Sequence, residues 1–228
     1  MKTTSLLYAT LALGFLLAFS ARAQEAEVDD LVQKLKGQAG QAKASGLATR
    51  GMKSRSLNAG AAASAPVKET RSLLLSRGVP KAVTVAAEED TVALKPSTGD
   101  AVELSYEVDP KSEVSKDNIF FRKGTAEFAD DHSVAEVVTL ADALKHPELQ
   151  GLKYVIEGHA SAEGDDDGNL ELSQRRAERI VSVLTSLGVE PARLVPVGFG
   201  ESKARFAPKD GEALLKQDRR VLIFRLDR

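Results

Sequence analysis

Apolar positions in the C-terminal half of the chain switch between short runs and a helical period, and each switch marks an element. Ile119 to Phe121 (IFF) predicts a buried strand, after which RKGTAEF turns through Gly124. In DDHSVAEVVTLADALKHP, Val134, Val137, Val138, Leu140, Ala141 and Leu144 form a helical stripe, with acids at its start and Pro147 beyond its end. LKYVIEG predicts a second strand. A loop rich in glycine and acids, GHASAEGDDDG, follows it, and a helix is predicted over about Leu170 to Leu187 with Gly188 as its C′ residue. RLVPVGFGE predicts a third strand, PKDGEALLKQ a short helix and RRVLIFRL a closing strand. The order β-α-β-α-β-(α)-β is that of an α+β domain, a mixed sheet with helices packed on one face, expected over residues 118–228.

The helix after the loop separates its charges. At about 100° per residue, Leu170, Ala177, Ile180, Val181, Leu184 and Leu187 share a stripe, while Glu171, Arg175, Glu178, Arg179 and Ser182 face the other way. Asn169, Ser173 and Arg176 fall at or inside the margin of the stripe. A guanidinium held beside a core costs several kcal/mol unless it is paired, so Arg176 requires an anion, from a loop carboxylate or from a ligand. Asn169 also reads as the N-cap of this helix.

Upstream the pattern weakens. Within residues 67–117, KAVTVAAEEDTVAL is rich in β-branched residues, and AVELSYEV alternates, with Val102, Leu104, Tyr106 and Val108 on one face. This accessory β-rich segment is too short for a transmembrane barrel of at least about eight strands. Residues 24–66 hold one amphipathic piece, Val28, Leu31, Val32 and Leu35, and then turn to Ala, Gly, Ser, Lys and Gln, the composition of a low-complexity linker. Residues 1–23 have a basic Lys2, an apolar run from Leu6 to Phe19 and the small-residue site Ala21-Arg22-Ala23. That layout predicts a secretory signal peptide cleaved after Ala23. An uncleaved anchor is the alternative, since Lys2 and Arg22 bracket 19 uncharged residues.

Composition narrows the chemistry. The 228 residues are 43% hydrophobic and 28% charged, ordinary for a globular protein. With no Cys there is no disulfide, thiolate site or lipid-anchoring cysteine, and three His leave little for a zinc site or a His-based triad. Removing residues 1–23 takes two basic residues and no acids from a chain of net charge −2, so the exported form carries −4, which disfavours nucleic acid as a partner. Glu163, Asp165, Asp167 and Gly168 match positions 1, 3, 5 and 6 of a calcium loop, but position 12 is Gln174, which cannot chelate bidentately. His159 reads as a structural hydrogen-bonding residue, and Gly198-Phe199-Gly200 as a tight turn. No acid and base with a nearby nucleophile is visible, so neither an enzyme nor a cofactor is expected.

Residues Asn118 to Leu226 resemble the OmpA C-terminal-like domain, the periplasmic peptidoglycan-binding module also found in peptidoglycan-associated lipoproteins and flagellar stator proteins. The resemblance is carried by NIFFRKGTAEF, the Gly158-His159 pair, EG…N..LS..RA through loop and helix, VGFGES, and DRRV in the last strand. It implies non-covalent recognition of diaminopimelate in peptide stems, with an aspartate two residues after the GH pair taking the ammonium and an arginine taking a carboxylate. By position that arginine is Arg176, the asparagine before the LS pair is Asn169, and the last-strand pair is Arg219 and Arg220. The aspartate is replaced by Ser161. A serine cannot balance an ammonium, so Glu163, or one of Asp165 to Asp167, is expected to substitute, or the ligand differs. The implied protein is periplasmic, associated with the outer membrane, and partnered by peptidoglycan. The alternative is an interaction module for other envelope proteins without wall binding.

Overall fold

The computed structural model describes residues 22–37, 68–75, 93–96 and 102–226. In chain order these form helix α1 (residues 22–36), strands β1 (Glu69–Leu75), β2 (Ala93–Pro96), β3 (Val102–Val108) and β4 (Val114–Lys116), helix α2 (Asp131–Leu144), strand β5 (Tyr154–Gly158), helix α3 (Asp166–Ser186), strand β6 (Leu194–Gly198), helix α4 (Glu212–Asp218) and strand β7 (Val221–Arg225). Strands β4-β7-β5-β6 make one sheet in that spatial order, and β1-β3-β2 make a second. The first is mixed: β5 runs parallel to β6 and antiparallel to β7, and β4 is antiparallel to β7. The second is antiparallel throughout.

Every residue of β5, β6 and β7 is buried, because the mixed sheet is covered on both faces. On one face lie the helices, with Val137, Leu140 and Leu144 of α2 and Ile180 and Leu184 of α3 packed on Tyr154, Ile156, Leu194 and Ile223. This is the predicted helical layer. On the other, Leu73, Leu104, Tyr106 and Val108 of the antiparallel sheet pack on Val155, Val195, Val197, Leu222 and Phe224. Leu104, Tyr106 and Val108 of AVELSYEV are thus the inward face of β3, and the antiparallel sheet forms a third layer. Most of KAVTVAAEEDTVAL, and residues 1–21 of the expected signal peptide, lie outside the described residues.

Three elements differ from expectation. The edge strand of the mixed sheet is Val114–Lys116, not Ile119 to Phe121; Ile119 is buried, but Phe121 forms only an isolated bridge to Phe128. The unit therefore begins before residue 118, and buried Lys116 pairs with Glu136 of α2 at 2.7 Å. Second, β1 was not legible, although its Leu73 enters the core.

Third, residues 24–36, expected within the linker, are helical and packed. Leu31, Val32 and Leu35 of α1 are 5%, 1% and 0% exposed and join the helical-face core, with Val28 beside them. Burial on this scale stabilises by about 1.5–3 kcal/mol per large side chain. The end of α1 is pinned by polar contacts as well: Tyr154 Oη donates to the Leu35 carbonyl at 3.4 Å, the Arg225 guanidinium donates to the Lys36 carbonyl, and Lys36 pairs with Glu148. The amphipathic spacing was the true signal. The Ala/Gly/Ser composition that begins only at Gly37 obscured it.

Candidate functional site

The loop of residues 159–165 leaves β5 and enters α3, and two glycines let that helix sit directly on the strand ends. A Cβ at Gly158 would overlap the Ser173 carbonyl oxygen, and one at Gly198 the backbone nitrogen of Gln174. The close approach is used for hydrogen bonds. Gly198 N donates to Gln174 Oε1 at 2.6 Å, Gln174 Nε2 donates to the Pro196 carbonyl, and Gly200 N donates to Ser173 Oγ at 2.8 Å. The loop is tied to neighbouring strands by His159 N to the Arg220 carbonyl at 3.0 Å and Ala160 N to the Gly200 carbonyl at 2.8 Å.

The helix starts at Asp166, about one turn earlier than predicted, because Asp165 is its N-cap and accepts from Gly168 N at 2.9 Å. Asn169 is therefore not the cap. Its amide instead donates to the Glu163 carbonyl at 2.9 Å, the Ser161 carbonyl at 3.4 Å and Glu201 Oε2 at 2.5 Å, which fixes the loop's shape. The helix ends as expected, with Gly188 at φ 93°, Gly188 N donating to Thr185 and Val189 N donating to Leu184.

Ser161, Glu163 and Arg219 converge at the loop. Arg219 Nη1 lies 3.4 Å from Ser161 Oγ and 3.3 Å from Glu163 Oε2, Ser161 Oγ lies 3.4 Å from the same carboxylate, and Arg219 also pairs with Glu212. The contacts among Ser161, Glu163 and Arg219 are long, weak enough to be exchanged. Ser161 itself is buried, so the position where the resemblance implies a carboxylate has a neutral hydroxyl with Glu163 beside it.

Arg176 sits nearly three turns into α3 and is 9% exposed, as the helical projection places it. Its Nε donates to the Thr125 carbonyl at 3.0 Å and its guanidinium lies 5.1 Å from the Phe121 ring centroid, with Phe128 stacked on Phe121. No carboxylate pairs with it among the described residues, and its terminal nitrogens make no hydrogen bond there. Burial, and then the nearby charge of Arg219, push its pKa down. A guanidinium remains charged at neutral pH regardless. Arg220 belongs elsewhere: it lies 3.6 Å from Asp218, a fully buried carboxylate that also accepts from the backbone nitrogens of Arg205 and Phe206.

Several site residues escaped sequence reasoning. Thr125, Gln174, Glu201, Glu212 and Asp218 are polar residues on loops and helices with nothing in their spacing to mark them. Glu157 is different, because a lone acid in the apolar run YVIEG is a signal. It is 0% exposed and stands one residue before Gly158. His159, also buried, places Nε2 3.1 Å from Glu157 Oε2 and stacks on Phe199 at 5.2 Å, the structural role expected of it.

Residues 120–216 match the model of the OmpA family. The chain carries an OmpA family domain. The match covers α2, β5, α3 and β6 with the loop between β5 and α3, and leaves α1, β1 to β4 and β7 outside. Among curated relatives, the chain is 39% identical over 72 residues to outer membrane porin F of Pseudomonas fluorescens, covering 32% of this chain and 22% of that protein. It is 33% identical over 72 residues to the peptidoglycan-associated lipoprotein of Pasteurella multocida, covering 32% of this chain and 48% of that one. The chain thus spans less than half the length of these relatives. Among solved structures, the peptidoglycan-associated lipoprotein of Burkholderia pseudomallei aligns with 29% identity and a TM-score of 0.40 over 48% of this chain and 88% of that one. Among the described residues no helix is long and apolar enough to cross a membrane, and no group of three His, Cys, Asp or Glu is placed to hold a metal ion.

Proposed function

We propose that this protein is a non-enzymatic component of the cell envelope, exported to the periplasm, whose OmpA family domain binds peptidoglycan non-covalently through diaminopimelate-type stems. The observation that carries the reading is Arg176, a buried cation with one carbonyl and one aromatic face but no carboxylate among the described residues. A stem carboxylate would supply the missing anion in the bidentate geometry a guanidinium favours. Names of relatives support the same reading, since several of them are peptidoglycan-associated lipoproteins.

Ser161, Glu163, Asn169 and Arg219 form the other side of the proposed pocket. Glu163 takes the ammonium in place of the aspartate, with the ligand displacing Arg219 from its 3.3 Å contact. Arg220, engaged by Asp218, contacts the site through its backbone carbonyl, which accepts from His159 N. The chain from residue 24 to 228 is the unit to test, because α1, β1, β3 and β4 contribute to its cores. Purified sacculi should retain the wild-type chain and release Arg176→Ala; equal retention of both removes the proposed site. A second reading, a protein-interaction module without wall binding, draws on Glu163 already being paired with Arg219. It is favoured if neither chain is retained and an envelope protein co-purifies instead.

A further inference from the structure

The two layers outside the family match are not equivalent to a covering of apolar surface, because one of them delivers a charge. Glu157 of β5 is fully buried between the two sheets, where an ionised carboxylate without partners would be untenable. Its partners come largely from the antiparallel sheet. Tyr106 Oη of β3 donates to Oε1 at 2.7 Å, and Arg71 Nη2 of β1 donates to Oε2 at 2.8 Å. Arg71 Nε is also 2.6 Å from Oε1, close but poorly aligned, so Nη2 carries the hydrogen bond. The remaining contact is His159 Nε2, 3.1 Å from Oε2. Together these fill the acceptor capacity of the carboxylate.

Arg71 is itself confined. Its guanidinium lies 4.5 Å from the Phe224 ring centroid and 5.8 Å from that of Phe199, the residue stacked on His159. Burial is the largest influence and opposes its charge, but Glu157, Tyr106 and Glu69 together outweigh it and the pKa is raised. Burial and Glu157 both push the Tyr106 pKa well up, so Tyr106 stays a donor. With Glu157 neutralised by Arg71, His159 meets a compensated carboxylate as well as Arg220, and its buried Nδ1 has no hydrogen-bond partner, an arrangement suited to a neutral ring.

We infer that the antiparallel sheet is a positioning element for the loop of residues 159–165: Arg71, acting through Glu157, holds His159 and so sets the start of the segment that carries Ser161 and Glu163. Its bearing on wall recognition rests on the reading of that loop as the peptidoglycan site, but the positioning itself does not. Arg71 lies outside the matched family region and touches neither Ser161 nor Glu163, so its effect on them is indirect.

The test uses the chain from 24 to 228, with NMR of the His159 ring and of the Ala160 to Gly164 amides beside sacculus retention. Arg71→Met should move His159 protonation to higher pH, because an uncompensated carboxylate favours the imidazolium. It should also shift the loop amides and lower retention at least threefold. Arg71→Met/Glu157→Gln, which removes the bared charge, should return both NMR readouts toward wild type. Leu73→Ala, an apolar truncation on the same strand, should leave His159 titration unchanged. Should Arg71→Met not fold, Arg71→Lys, which keeps a cation but loses the fork, is read by the loop amides alone. A folded Arg71 variant with wild-type His159 titration and loop amides overturns the inference. If wild type is not retained on sacculi, the proposed function fails while the NMR readouts still decide this one.

Discussion

Arg176 and Arg193 are buried to nearly the same extent, 9% and 8% exposed, yet they are satisfied very differently. Arg193 donates to the Leu144, Leu149 and Leu152 carbonyls at 2.9 to 3.0 Å, and so closes the C-terminal end of α2. Arg71 and Arg225 likewise have their anions, Glu157 and Asp109. Arg176 has one carbonyl and a ring. Arg193 is saturated by the fold, whereas the terminal nitrogens of Arg176 reach solvent without an anion among the described residues. The contrast separates the structural arginines of this protein from the proposed ligand arginine.

The largest expected effect falls on the saturated side. Arg71→Met bares a buried carboxylate and should cost about 3–5 kcal/mol in denaturant unfolding; a loss below about 1 kcal/mol would put Arg71 outside the structural class. Arg193→Ala should cost about 1–3 kcal/mol or more through its unsatisfied carbonyls. Arg176→Ala should cost about 1 kcal/mol or less, because relief of desolvation offsets the lost hydrogen bond. If Arg176→Ala destabilises as much as Arg193→Ala, the distinction between them collapses.

Much of this was legible in the sequence. The order of elements from α2 onward followed from apolar runs and periods, and the projection of one helix put Arg176 beside the core because 3.6-residue periodicity survives whatever the partner is. What was not legible depended on long-range contacts. Nothing near Asn169 shows that Asp165 caps the helix, and nothing near Arg71 shows that it meets Glu157, 86 residues away. The α1 stripe was visible, but a stripe cannot reveal what buries it, and the composition after Gly37 argued for a linker. Ser161 in place of the implied aspartate was visible at once, while Arg219 beside Glu163 required the fold.

Two smaller effects sharpen the comparison. Ser161→Asp adds a carboxylate next to Glu163 and should raise sacculus retention by a few-fold, up to about tenfold; unchanged retention would mean that Glu163 already suffices. The smallest effect is on pH. Burial pushes the His159 pKa down from 6.5, its hydrogen bond to Glu157 opposing, while Arg220 and Arg71 add to the depression. The unfolded chain therefore takes up the proton first, so the His159 contribution is complete above about pH 6.5 and is lost as pH falls through the lower folded value. His159→Gln should flatten unfolding stability between about pH 6.5 and 5 relative to wild type.

The central claim is that Arg176 is held for a ligand carboxylate. Calorimetric titration of the chain from 24 to 228 with a soluble diaminopimelate-containing stem peptide tests it directly, run on wild type and on Arg176→Ala with the folding of each checked by thermal unfolding. Saturable binding by wild type, lost in a variant that melts as wild type does, is the predicted result. Equal binding by both, or loss of binding only through loss of folding, would contradict it.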